Sequence, residues 1–413
     1  MTLASFLLFS AFVGLVSTDP QILWLYKFPT GGSFSVDGVE NGAKLYVASN
    51  DNMSALKNIT ITSGSFSTTL DKLSDYYDDG TPKYINITGG LTVKTVNSDS
   101  QTSALSGYIY VTTYQQAHDP TFGVYVITDK QRISRDGMKT TTVVLNTALV
   151  QISQDLDKPP MSSYVTNIDH SSNTNLYFMW GVPTANWYDA VNNTFFENPL
   201  NFNDYNEDTK QWTTTRVFFD HVEPLQIGLR YWYFMSMGPV NMDVESKYVS
   251  EHNYTTTAVN TTGLIVNDQW FFKDHQINYL QDPTRNRTVG TLISTFLNYP
   301  VTFLLDGDTA IVSQTYGNGG NVIHALGETY FQASRLLVNS TNIYPGTFYC
   351  QYYGFSTNLL PVTNAPSTVP TTMGPTTSRP MITTPTVATT TKSSQTHTFI
   401  EMLMLFVATV LIR

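Results

Sequence analysis

Short runs of Val, Ile, Thr and aromatic residues, broken at intervals of roughly 8 to 15 residues by Gly, Asn and Asp, dominate the chain and predict β-structure. The runs at 44–48, 58–62, 84–87, 91–95, 108–114, 123–128, 141–152, 175–180, 216–219, 229–237, 264–272 and 347–353 read as strands. The dipeptides Asp37-Gly38, Asn41-Gly42, Asp79-Gly80, Asp136-Gly137, Asp306-Gly307 and Asn318-Gly319 suit type I′ hairpin turns, which need positive φ at both central positions. The clearest hairpin places 301–305 against 308–313 across Asp306-Gly307. Helical spacing is scarce: Leu70, Leu73 and Tyr77 could line one short helix, and 326–338 reads equally as helix or strand.

This pattern predicts an all-β chain of tandem antiparallel β-sandwich domains, jelly-roll in kind, followed by a disordered Thr/Ser/Pro stalk. A break at 115–120 sets a first domain at 19–116. Residues 121–355 are long enough for one or two further sandwiches, with a join expected near 186–235, where Asn and Asp are dense. Only one cysteine is present, Cys350, so internal disulfides are excluded and the cores alone must hold the domains. Cys350 sits in a strand-like run, where a buried inert thiol and an intermolecular bridge are both open.

The two ends add an address. Residues 3–16 are apolar and are followed by Ser17 and Thr18, so 1–18 reads as a secretory signal peptide lacking a positive n-region. Residues 356–392 are rich in Thr, Ser and Pro and too poor in large apolar side chains to fold. The last apolar stretch, 399–412, is shorter than the about 20 residues a membrane-crossing helix needs. It fits a glycosylphosphatidylinositol (GPI) attachment signal at 393–413, with Ala388, Ser393 and Ser394 as attachment candidates; a short tail-anchored helix is the rival. The expected location is the outer face of the plasma membrane, held there by lipid. Eight N-x-Ser/Thr sequons, at Asn52, Asn58, Asn86, Asn192, Asn253, Asn260, Asn286 and Asn339, agree with an extracellular glycoprotein.

Locally, residues 106–113 (SGYIYVTT) and 346–354 (GTFYCQYYG) look like the closing strands of CUB-like modules. Together with the signal, stalk and anchor, the chain resembles the CUB-like domain proteins of nematodes. That resemblance implies jelly-roll sandwiches and a role at the cell surface, in host defence against microbes, with no catalytic residues to carry over.

A net charge of −10 and few Lys or Arg argue against nucleic acid as a partner. The G-x-S-x-G, P-loop and H-E-x-x-H signatures are missing. Four histidines adjoin an aspartate, at His118-Asp119, Asp169-His170, Asp220-His221 and Asp274-His275, and such pairs can orient a base or ligate a metal. Adjacent strand residues point to opposite faces, so cooperation would need different segments to converge. Three carboxylate groups, Asp204 with Asn206 and Asp208, Asp75 with Asp78 and Asp79, and Asp306 with Asp308, are candidates for calcium; no other cofactor is indicated. The aromatic runs 231–234 and 270–272 could offer a sugar-stacking platform on whichever face leaves the core. The sequence therefore predicts a non-enzymatic surface glycoprotein binding an extracellular protein or glycan. An extracellular hydrolase with scattered Asp, Glu and His is the alternative.

Overall fold

The computed structural model describes residues 19–147, 161–184, 193–248, 253–256, 260–267, 274–280, 287–307, 311–317, 319–326 and 333–356. The signal peptide, stalk and attachment signal expected from the sequence lie outside them, as do Ala388, Ser393 and Ser394.

The first strands are β1 (Gln21–Trp24), β2 (Ser33–Val36), β3 (Lys44–Ala48), β4 (Ile59–Ser63), β5 (Phe66–Thr69), β6 (Tyr84–Asn86), β7 (Leu91–Thr95) and β8 (Tyr108–Val111). Next come β9 (Phe122–Ile127), β10 (Gln131–Arg135), β11 (Thr140–Asn146), β12 (Met161–His170), β13 (Asn175–Trp180), β14 (Thr194–Asn198), β15 (Leu200–Asn206) and β16 (Gln211–Val217). The chain continues with β17 (His221–Val222), β18 (Leu225–Ile227), β19 (Tyr231–Met237), β20 (Val240–Tyr248), β21 (Asn253–Thr256), β22 (Thr261–Asn267) and β23 (His275–Tyr279). It ends in β24 (Arg287–Leu297), β25 (Val301–Gly307), β26 (Ile311–Tyr316), β27 (Gly319–Leu326), β28 (Ala333–Ser340) and β29 (Gly346–Ser356). Among the described residues, three one-turn helices, α1 (Met53–Lys57), α2 (Asp99–Ser103) and α3 (Tyr114–His118), are capped by Asn52, Ser98 and Thr113 respectively.

These strands form five main sheets, numbered here by layer: sheet I is β2-β7-β4-β5, sheet II β1-β8-β3-β6, and sheet III β14-β13-β19-β11-β9. Sheet IV is β10-β20-β12-β18-β22-β29-β24-β27, with β17 beside β22, and sheet V is β21-β23-β28-β25-β26. Pairing is antiparallel except at β9–β11, β17–β22, β18–β22 and β21–β23. The hairpin β15–β16 is a two-stranded sheet of its own, and its residues 203–213 belong to a second small unit.

Four apolar cores fill the spaces between successive sheets. Leu45, Val47, Ile61, Val93, Ile109 and Val111 lie between sheets I and II. Tyr46, Tyr108, Tyr110, Val143, Leu145 and Tyr233 lie between II and III. Val144, Val165, Phe178, Trp232, Phe234 and Tyr349 lie between III and IV. Ile265, Ile277, Phe303, Leu336, Phe348, Cys350 and Tyr352 lie between IV and V. Strands in sheets II, III and IV thus send alternate residues into two different cores. This explains runs such as Tyr108–Val111, where all four residues are buried. Each fully buried side chain of this size stabilises the fold by roughly 1.5–3 kcal/mol.

Buried polar side chains tie the layers in register. Asn146 on β11 donates from Nδ2 to Ser163 Oγ on β12 at 2.8 Å and accepts from Ser246 Oγ on β20 at 2.6 Å, and Trp232 Nε1 donates to the same Ser163 Oγ at 3.2 Å. Gln351 on β29 bonds both backbone groups of Glu197 on β14, at 3.0 and 2.8 Å. Asn198 accepts from the Phe219 amide and donates to the Phe219 carbonyl, both at 3.0 Å. With its amide so oriented, Nδ2 also donates to His170 Nε2 at 3.3 Å, which fixes a neutral imidazole. Burial lowers the His170 pKa below its usual 6.5, opposed by the Ser171 backbone and by Asp169 and Asp220.

The structure departs from the sequence expectations in several places. The helix expected on Leu70, Leu73 and Tyr77 is a single 3-10 turn, Leu70–Lys72, because β5 runs to Thr69; Leu70 and Leu73 are buried and Tyr77 is exposed. Gly38, Gly42 and Gly80 adopt positive φ but the residues before them do not, so those turns are not type I′. Asp306 pairs with Ile311, which places Asp306-Gly307 inside β25 and moves the hairpin connection towards the C-terminus. Across the stretch 186–235, where a join was expected, β13 pairs with β19 and β12 with β20.

Two consequences are measurable. Gly263 faces Tyr352 across β22–β29, and a Cβ there would collide with the buried Tyr352 phenol. Gly263→Ala is expected to destabilise the protein by roughly 1–3 kcal/mol, read as a lower urea midpoint at unchanged m-value. For His170, a lowered folded pKa means that its contribution is present above the unfolded value of 6.5 and is lost as pH falls below it. The melting temperature is expected to fall between about pH 7.5 and about pH 5.5, and His170→Gln to flatten part of that fall in paired melting curves.

Candidate functional site

Among the described residues, those marked out by the sequence do not gather into one site, although His170 lies near Asp220 of a different pair. His118 stacks on Tyr114 at α3, with Nδ1 2.8 Å from the Tyr114 carbonyl, and Asp119 accepts from the Thr121 amide at 2.8 Å. His221 lies 3.5 Å from Glu223 at β17, and His275 is on β23 in sheet V. His170 and Asp220 are neighbours, but no group of three or more His, Cys, Asp or Glu side chains suited to a metal occurs among the described residues.

Three of the carboxylates expected for calcium, Asp75, Asp79 and Asp306, have protein partners. Asp75 pairs with Lys83 at 2.6 Å, and that bond lowers its pKa. Asp79 accepts from both the amide and the hydroxyl of Thr81, which lower its pKa likewise. Asp306 pairs with Arg335 at 2.5 Å. Asp204 and Asn206 lie within strand β15 rather than in a loop, and Asp308 lies outside the described residues. A further buried carboxylate, Asp243, is held down to about 2 by Asn167 and by Arg132 and Lys130 against the cost of burial. Asn167 reaches it at 2.8 Å from a left-handed position in the bulge of β12. These are structural pairings.

The sugar-platform expectation also changes. Trp232, Tyr233 and Phe234 are buried, since both faces of sheet III are covered, and only Tyr231 is half-exposed. Trp270, Phe271 and Phe272 lie outside the described residues. Cys350 is fully buried between sheets IV and V, which leaves no exposed thiol to bridge to another molecule.

Among the sequons, Asn52, Asn86 and Asn253 are exposed, and Asn260 and Asn339 are half-buried. Asn58 differs, because its Nδ2 donates to Oδ1 of the fully buried Asn97 at 2.9 Å. Asn52 uses Oδ1, not Nδ2, to cap α1. Asn192 and Asn286 lie outside the described residues.

The feature that does concentrate exposed apolar side chains is one end of the sheet IV–V sandwich. There β24 crosses to β25 through Asn298-Tyr299-Pro300, and β28 crosses back to β29 through 341–345. The Asn298 and Tyr299 amides both donate to the Pro345 carbonyl, at 2.8 and 3.1 Å, which binds the two loops together. Ser340 Oγ donates to the Pro300 and Asn342 carbonyls, and the Tyr344 amide donates to Asn342 Oδ1 at 2.7 Å. On this frame Tyr299, Ile343 and Tyr344 stand 48%, 47% and 52% exposed. Neither loop carries a charged residue or a histidine, so the tip can offer apolar contact and phenol hydrogen bonds but no acid–base chemistry. The sequence reading missed it. Its signal was the doubled Asn-Tyr-Pro and Asn-Ile-Tyr-Pro motif.

No curated protein matches the chain. A solved structure, the tail fibre protein gp63.1 of an E. coli phage, is similar at 7% identity and a TM-score of 0.14, over 55% of this chain. The chain spans 38% of that protein's length, and a likeness this low bears on neither fold nor function. The model of a family described as "Transmembrane glycoprotein" matches residues 40–408. Its span includes 388–394 and most of the apolar tail, and a family named for crossing the membrane overturns the lipid-anchored location expected from the sequence. The described residues contain no helix long and apolar enough to cross a membrane. With residues 40–408 matched, the chain belongs to the transmembrane glycoprotein family and is a surface glycoprotein.

Proposed function

We propose that the β-sheet stack is a non-enzymatic recognition module that binds an extracellular protein through the Tyr299–Tyr344 tip. The observation that carries this reading is the rigid exposure of three large apolar side chains on two hydrogen-bonded loops. Tyr, Asn and Ser on end-loops of a sandwich are the composition that antibody paratopes use, where Tyr supplies area at low entropic cost. Preorganisation lowers the ordering cost of binding. Gly346 begins β29 at the tip and Ser356 ends it ten residues on, about 33 Å away. The pair of four-stranded antiparallel sheets over residues 21–111 supports a jelly-roll or CUB-like reading of that part.

Two tests apply. Cells displaying the full chain should bind cells of the same source, and Tyr299→Ala with Tyr344→Ala should reduce that binding at least about tenfold at unchanged surface level. Equal binding by the double variant would remove the tip from the function. In the second, enzymatic release of N-glycans in heavy-oxygen water, followed by peptide mass spectrometry, should mark Asn52, Asn86 and Asn253. Asn58 should remain unmarked, because its attachment nitrogen is engaged by buried Asn97. Full occupancy of Asn58 would contradict that assignment.

A further inference from the structure

We infer that strand β26 is a self-association edge through which two copies of this chain pair about a two-fold axis. Strand β26 is the outer strand of sheet V, joined to β25 on one side only among the described strands. Its six residues, Ile311–Tyr316, contain no charge and no proline, two of the devices by which outer strands avoid pairing. Several other outer strands are guarded, although β1, β2 and β5 are also without charge or proline. Strand β10 carries Arg132 and Arg135, β21 carries the exposed Asn253 sequon, β9 receives the Tyr76 hydroxyl at its Val126 carbonyl, and the Glu197 backbone of β14 is taken by Gln351.

The inner face of β26 is incomplete as well. Val312 and Tyr316 pack against the core between sheets IV and V yet remain half-buried, and Ile311 is 65% exposed on the outer face. A further strand would cover this flank. The occupant follows from charge and symmetry. A chain of net charge −10 repels its own copies over most of its surface, and β26 is a place where two copies meet without like charges opposed. Antiparallel pairing of a strand with itself is two-fold by construction, and directly opposed residues must share a face. Centring the axis on Gln314 meets that requirement. It sets Val312 against Tyr316 of the second copy on the inner face, Gln314 against its own equivalent, and Ser313 against Thr315 on the outer face. Every opposed pair is then apolar with apolar or hydroxyl or amide with its like.

The test uses two differently tagged full-length copies co-expressed, solubilised in detergent and co-precipitated. Wild-type copies should co-precipitate. Gln314→Lys paired with itself, and Gln314→Glu paired with itself, should each fall at least about tenfold. Gln314→Lys paired with Gln314→Glu should recover. Retention of both like-charged pairs at wild-type level would overturn the proposal, and so would failure of wild-type copies to associate. If no variant pairing associates, Gln314→Cys decides: a disulfide-linked dimer on a non-reducing gel is expected, Cys350 being buried, and its absence overturns the proposal.

Discussion

Burial on both faces of the inner sheets is the constraint on which the structure rests. A chain with one cysteine cannot staple its layers, so each of sheets II, III and IV has to be apolar above and below. Strand β29 shows the demand at its most severe. Tyr349 enters the core shared with sheet III, while Phe348, Cys350 and Tyr352 enter the core shared with sheet V. Tyr353 and Phe355 join Leu200, Val217 and Phe219 in a smaller cluster further along. One strand therefore holds three apolar clusters, flanked on both sides by β22 and β24. The high aromatic content follows, because wide gaps between twisted sheets are filled best by large flat side chains.

Apolar matching alone would let such layers slide. Polar groups placed inside them remove that freedom, since each must find its partner or leave a costly unpaired donor or acceptor. Asn146 can satisfy its amide only when β11, β12 and β20 are in one register. Gln351 can reach both backbone groups of Glu197 only when sheet IV is aligned with the outer strand of sheet III. Asp51 does the same work in the first part of the chain: its carboxylate accepts from the Ser106 and Gly107 amides, at 2.9 and 2.8 Å, and anchors the start of β8. Gly107 is required there because a Cβ would press on Ser49.

The strands were legible because their signal is local: runs of β-branched and aromatic residues between Gly, Asn and Asp. The layering was less so, although a trace of it was present. Tyr108–Val111 and residues 143–145 are continuous apolar runs, and such runs indicate strands covered on both sides, which is why the aromatic positions left for a sugar platform turned out to be core. The ties between layers were beyond reading, because their partners lie far apart in sequence, 154 residues for Glu197 and Gln351 and 100 for Asn146 and Ser246. The same holds for the tip. Tyr299 and Tyr344 differ from buried Tyr279 and Tyr352 only in where the fold puts them. The apolar tail illustrates a different limit, since its length and the small residues before it argued for a cleaved signal while the family match runs through most of it.

Covering the faces of sheets has a consequence for recognition. A lone sandwich keeps two outer faces for binding, and a stack of five sheets uses eight of its ten faces to hold itself together. The outer face of sheet I that remains is lined by Ser33, Ser35, Thr60, Thr62, Thr92 and Lys94, which are readily solvated and offer little area to desolvate. Specific contact therefore shifts to the strand ends and the outer strands, where backbone groups and large side chains reach solvent. The Tyr299–Tyr344 loops are such an end and β26 is such an edge, and both belong to the sheet IV–V sandwich nearest the C-terminal exit of the chain. The constraint that removes the faces from recognition is the one that holds these two sites rigid, because each is built on strands whose other residues are locked in a core.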